Sequence, residues 1–158
     1  MANREVSLRM RYRSEQLLGY LKRAAAMGAE SYAYYVPYEK NVQHALESLR
    51  TRVFERGEFN GFELAPSTPE EAFELMDTDG TASILDIQQV ADQPNFFCAA
   101  PFTLDELQAH FGTDQPTRTE IESGDGFWNT LERGQARYVV VYQDEQPAEI
   151  YFAGYSFD

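Results

Sequence analysis

Two runs near the C-terminus, Arg137–Tyr142 and Glu149–Tyr155, are dense in Val, Ile, Tyr and Phe and are separated by Gln143–Pro147. β-Branched and aromatic residues favour strands, so the pattern predicts an antiparallel hairpin with the polar segment as its turn. A fold for this chain must therefore contain a sheet, and the rest of the sequence has to supply what covers it.

Much of that cover is helical. Val42, Leu46, Leu49 and Val53 step by four, three and four along one face, with Gly57 beyond the end, which predicts a helix with that stripe turned inward. Thr68-Pro69-Glu70-Glu71 has the residues of a helix start: a Thr cap, Pro at the first position, and Glu71 spaced to bond back to the cap N–H. Thr103 with Glu106 and Thr117 with Glu120 repeat the capping-box spacing. Tyr32-Ala-Tyr-Tyr-Val36, stopped by Pro37, predicts a strand, and Ile84-Leu85-Asp86-Ile87 and Asn95–Ala100 predict shorter ones, with residues 58–68 a connecting loop. Ser14–Ala29 predicts a helix closing near Gly28. Before it, Val6, Leu8, Met10 and Tyr12 alternate with Ser7, Arg9, Arg11 and Arg13 as in a strand, yet Val6, Met10, Leu17, Leu21 and Ala24 also recur at helical spacing. The Leu, Arg and Met content favours helix, so residues 1–30 read as an N-terminal helical extension. With no internal repeat, no low-complexity linker and no βαβ rhythm, the expectation is a single α+β domain over residues 1–158 with a C-terminal antiparallel hairpin.

The charges are sorted along the chain. Residues 1–56 hold ten Lys and Arg against six acids, a net of +4, whereas residues 57–158 hold twenty acids against Arg118, Arg133 and Arg137, a net of −17. An aromatic content of 14% is high for so acidic a chain and argues that the negative charge coats a folded body rather than a disordered tail. Such a body repels free nucleic acid and anionic membranes. No apolar run approaches the roughly 20 residues that span a bilayer, and arginines interrupt the place a signal peptide would need its apolar region. One cysteine, Cys98, suits a reducing cytoplasm. The expectation is a cytoplasmic protein that contacts neither nucleic acid nor membrane.

No constellation dictates a reaction, and no cofactor is expected. Asp77-Thr-Asp-Gly-Thr81 has the look of a phosphatase nucleophile motif, but the only lysines, Lys22 and Lys40, lie upstream and a helix precedes it where a strand is needed. Read as a calcium loop with Gly80 at the sixth position, Asp77 and Asp79 fall on ligand positions, Asp86 stands where a bidentate Glu is usual, and Leu75 takes the first place. Asp77, Asp79 and Asp86 are thus weak metal candidates, and a polar helix exit is the better reading. Cys98 sits on an apolar run without an electropositive neighbour and reads as a buried inert thiol. His44 reads as a solvated residue beside Glu47, and Trp128 as a core anchor. Tyr32, Tyr34, Tyr35 and Tyr38 crowd one strand and Tyr138, Tyr142, Tyr151 and Tyr155 the hairpin, so an interface role competes evenly with a tyrosine-lined core.

At Tyr34-Tyr-Val-Pro-Tyr-Glu-Lys-Asn-Val-Gln-His-Ala-Leu46, Asp79-Gly-Thr-Ala-Ser-Ile-Leu-Asp-Ile87 and Phe152-Ala-Gly-Tyr-Ser-Phe-Asp158, the chain resembles a group of small uncharacterised bacterial proteins. The likeness covers about residues 32–158 and implies a bacterial, cytoplasmic setting without an assigned activity. Size and charge are also similar to those of acidic α+β immunity proteins, which neutralise basic toxins; no signature motif is shared. The reading favoured is a non-enzymatic protein-binding module, immunity- or adaptor-like, that meets a basic protein partner through Glu70, Glu71, Glu74, Asp77, Asp79, Tyr35 and Tyr38. Arg9, Arg11 and Arg13 are expected to pair with the protein's own carboxylates or across a homo-oligomeric contact, and not to form a nucleic-acid site. The alternative is a small enzyme or ligand-binding domain with a cleft lined by tyrosines and carboxylates such as Asp77, Asp79 and Asp86.

Overall fold

The computed structural model describes residues 29–77, 79–124 and 126–157. The expectations for residues 1–28, helix or strand, lie outside them. Among the described residues a mixed sheet of five strands runs in the order β1-β5-β4-β3-β2, with four α-helices around it. The strands are β1 (Ser31–Pro37), β2 (Gln89–Val90), β3 (Cys98–Pro101), β4 (Ala136–Gln143) and β5 (Gln146–Tyr155). The helices are α1 (Val42–Glu55), α2 (Pro69–Met76), α3 (Leu104–Phe111) and α4 (Arg118–Ser123). The α+β class and the paired C-terminal strands are as the sequence leads one to expect.

The hairpin is tighter than Gln143–Pro147 suggested: Gln143 pairs with Gln146, leaving Asp144 and Glu145 as a two-residue turn with φ of 50° and 62°. Both lie in the left-handed region that matches strand twist in such turns, which Asn and Gly usually fill. β1 adds antiparallel to the outside of β5, from Ser31↔Tyr155 to Pro37↔Glu149. On the other side β3 pairs parallel with β4, and β2 parallel with β3. A strand–helix–strand crossover, containing α3 and α4, is therefore present where none was expected. Parallel neighbours require such a long connection because the chain must return to the same end of the sheet.

Strand alternation sends β1 side chains to two different cores. Tyr32, Tyr34 and Val36 face α1, packing with Leu46, Leu49, Val53, Ile84, Leu85 and Phe152. Ala33 and the half-buried Tyr35 face the other layer, formed by Phe102, Ile121, Phe127, Trp128, Val139 and Tyr151. The inward stripe of α1 is thus as expected, with Leu46, Leu49 and Val53 buried and Val42 packed at the edge. Tyr32, Tyr34, Tyr151 and Tyr155 are buried, so the tyrosine surplus mainly builds core.

Thr103 and Thr117 each close a full capping box with Glu106 and Glu120. At α2 the Thr68 side chain accepts from the Glu71 N–H as expected, but the Glu71 carboxylate accepts from the Ser67 N–H at 2.6 Å instead of from the cap. Ile84-Leu85-Asp86 is not a strand. It forms a buried 3-10 turn, started by the Ser83 hydroxyl accepting from the Leu85 N–H. Phe62–Leu64 makes another 3-10 turn inside the expected loop.

Candidate functional site

The acids singled out in the sequence cluster on α2 and its exit. Their helix forms because Thr68 caps it, Pro69 fits its first turn, and Glu70 and Glu71 complement the positive end of the helix dipole. Ala72 packs into the α1-side core, which turns Glu74 and Leu75 outward. Glu70 accepts from Arg50 Nη1 at 3.0 Å, closing a bridge between α1 and α2. Among the described residues Glu74, Asp77 and Asp79 have no side-chain partner and are exposed. Leu75, in the middle of this run, is 45% exposed.

An aromatic cluster adjoins α2. Phe73 meets Phe97 at 5.2 Å between ring centroids; Phe157 lies 5.4 Å from Phe97 and 5.9 Å from Phe96. Phe97 is held at φ 59° by two short backbone bonds, its N–H donating to the Gly134 carbonyl and its carbonyl accepting from the Gln88 N–H, each at 2.7 Å. That conformation costs a bulky residue energy, and it leaves Phe96 at the tip, 54% exposed. Gly134, at φ +70°, lets the Phe157 ring lie on the backbone: a Cβ there would come within 2.7 Å of it. In α2, Glu70 stands three residues before Phe73, and Asp77 caps the C-terminal end of the helix at φ 48°.

The tyrosines assigned to the same surface are elsewhere. Tyr35 points to the opposite face of the sheet, and Tyr38 follows β1, its N–H bonded to the Ala148 carbonyl at 3.0 Å. The sheet therefore separates Tyr35 from the acids of the expected seven-residue set. Around Tyr35 lies a feature that sequence reasoning missed. The Arg118 guanidinium sits 4.0 Å from the Tyr35 ring centre and donates to Glu149 at 2.5 Å. Beside it opens a cavity of about 400 Å³ lined by Arg118, Thr119, Tyr142, Gln143, Asp144 and Glu149, among others. The one available signal was the rarity of bases in this half of the chain. Burial, together with Glu122, pushes the Tyr35 phenol up, beyond any opposing effect of Arg118. Partial burial works against the Arg118 charge, but the bond to Glu149 outweighs it and raises its proton affinity. Both groups hold their protons more firmly, the opposite of what a general base needs.

The metal candidates do not converge. Asp86 is fully buried, and its Oδ1 accepts from both the N–H and the hydroxyl of Thr81 at 2.7 Å, so it ties up its own loop. Asp77 and Asp79 are exposed, and among the described residues no group of three or more His, Cys, Asp or Glu is placed to hold a metal. Cys98 is buried, with Gln89 Nε2 at 3.6 Å from its sulfur. His44 pairs with Glu39 and not with Glu47, and that hydrogen bond raises its pKa. Trp128 is buried in the second core beside Phe127 and Tyr155, the anchor role expected of it. No helix among the described residues is long and apolar enough to cross a membrane. Comparison with known protein families, curated proteins and solved structures finds no match.

Proposed function

We propose that this chain is a non-enzymatic, cytoplasmic interaction module that binds a basic protein partner through the surface around α2. The observation that carries the reading is the set Glu74, Asp77 and Asp79, unneutralised among the described residues, beside exposed Leu75 and the Phe96 cluster. Protein interfaces combine apolar anchors with charges that steer encounter and reject like-charged partners, and this surface offers both. An immunity-type or adaptor role fits that chemistry. In an affinity capture from cell extract, a basic partner retained by the native chain and lost by a Glu74→Lys/Asp77→Lys/Asp79→Lys variant would support the reading. Capture that ignores the charge reversal would overturn it.

The cavity beside Arg118 favours a second reading, a ligand-binding domain whose cleft is lined by Tyr142, Asp144 and Glu149. Its polar groups could orient a small hydrogen-bonding ligand. Thermal-shift screening of polar metabolites against the native chain and an Arg118→Ala variant would test it, a hit lost in the variant being the expected result.

A further inference from the structure

The cavity beside Arg118 exists because two distant segments are pinned together at one end of the sheet. The ladder between β4 and β5 shifts register between Val141 and Tyr142. There the Tyr142 N–H donates to the Pro116 carbonyl at 2.9 Å, and Thr117 bridges to Tyr142 as a short parallel pair. The start of α4 is thereby held against the end of the hairpin. The lining carries charges of both signs with hydrogen-bonding capacity to spare. Arg118 presents a fork of N–H donors, and its side chain is 48% exposed; among the described residues only Nη2 is engaged, by Glu149 Oε2 at 2.5 Å. Its seat over the Tyr35 ring holds the guanidinium in place. Among the described residues, nothing donates to the other Glu149 oxygen or to the Asp144 carboxylate. Asp144 stands at φ 50° in the hairpin turn, so its position is kept at a cost in backbone strain. The Thr117 hydroxyl, by contrast, is taken up by its own capping box with Glu120.

We infer that this cavity binds a free α-amino acid, its carboxylate on the open N–H edge of Arg118 and its ammonium on the carboxylates of Glu149 and Asp144. The inference rests on the reading of the cavity as a ligand site. A simple anion drawn to Arg118 would meet Glu149 and Asp144, with Glu122 one turn along α4. A simple amine would leave the unused guanidinium donors facing its own charge. The contact between Nη2 and Oε2 sets the two opposite charges of the site side by side, so the charges of the ligand must also be adjacent. An α-amino acid meets that condition, because its ammonium and carboxylate share one carbon, and bonds between ionised partners are the strong ones. Size agrees: about 400 Å³ is at the low end of the roughly 300–1,000 Å³ of small-molecule sites, which favours a single amino acid over a longer peptide. Thr119 and Gln143 offer further polar groups, while Val141, Ala148 and the Tyr142 ring offer contact to the ligand's side chain.

The test is isothermal titration calorimetry of the full chain with the standard L-amino acids, followed for the tightest binder by its α-amide and its N-acetyl form. At least one amino acid should bind, and each capped form should bind about tenfold or more weakly, having lost a charge-assisted contact. Asp144→Asn should weaken the free amino acid and leave the affinity of the N-acetyl form unchanged. Asn suits a turn of this kind, so that variant keeps its fold. Arg118→Lys retains the charge but loses the planar fork, and should weaken the free amino acid more than the amide. Free and capped forms that bind alike, or an affinity indifferent to both substitutions, overturn the inference. A polar metabolite bearing only one of the two charges, bound where no amino acid binds, overturns it as well and leaves the ligand-site reading standing. If neither amino acids nor other polar metabolites bind, both fall.

Discussion

Arg137 donates to both carboxylate oxygens of Glu106, at 3.3 and 2.6 Å, across the crossover that joins β3 to β4. The guanidinium is nearly fully buried, lies 4.2 Å from the centre of the Phe102 ring, and also donates to the carbonyls of Ala100 and Pro101. Partial burial raises the Glu106 pKa, but the hydrogen bonds from Arg137 and the Thr103 N–H outweigh it and hold the carboxyl below its ordinary range. Glu106→Gln should destabilise the fold by on the order of 1–2 kcal/mol near neutrality, since it leaves a buried charge half-paired. A carboxyl depressed in the folded state stabilises fully above its unfolded pKa, near 4.3 for Glu, and loses that contribution as pH falls through the lower folded value. Denaturant titrations of both chains should therefore show a gap that is constant above about pH 5 and closes in acid. A gap independent of pH would contradict the assignment.

Leu46 is completely buried between α1 and the sheet, among Tyr32, Leu49 and Ile84. Leu46→Ala should cost about 2–4 kcal/mol, the lost burial plus the cavity it leaves. Chemical denaturation is the check, and a loss under about 0.5 kcal/mol would mean that the site collapses freely.

Cys98 should stay unmodified by a thiol reagent in native buffer and react once the chain is unfolded, because labelling requires an exposed thiolate. Labelling kinetics across a denaturant series should track global unfolding. Rapid labelling of the native protein would mean that β3 opens locally.

Tyr32 is fully buried, and its hydroxyl has no hydrogen-bond partner among the described residues. Burial first, and then the charge of Asp86, push its pKa well up, so the phenol stays neutral. Tyr32→Phe removes a polar atom whose solvation was lost on folding, and should be neutral or stabilising by up to about 1 kcal/mol. Its neighbour Gly154 behaves oppositely: a Cβ there would stand 2.7 Å from both the Tyr32 hydroxyl and the Gln135 carbonyl. Gly154→Ala should lower stability by about 1–3 kcal/mol in the same melting experiment.

What could be read from the sequence was local. The stripe on α1, the caps at Thr68, Thr103 and Thr117, and the strand before Pro37 each declare themselves within a few residues. Ile84-Leu85-Asp86-Ile87 misled because an apolar run has the same composition in a buried strand and in a buried 3-10 turn, and the Ser83 cap is a single residue. β2 is two residues long and is defined only by its partner β3. The acids of α2 were visible as a set, whereas the separation of Tyr35 from them depends on which face of the sheet each β1 residue takes. The cavity beside Arg118 joins residues 117–119 to 141–149, a meeting that no spacing rule anticipates.

The place of β1 bears on how the chain acquires its structure. Its only strand partner among the described residues is β5, so an early-synthesised strand waits for the last one described before it can pair. Closing so long a loop is entropically costly, and a pairing this distant in sequence slows folding. Until β5 leaves the ribosome, Tyr32, Tyr34, Tyr35 and Val36 have no strand to pair with, and an apolar, β-prone segment in that state is open to misassociation and suited to a chaperone's cover.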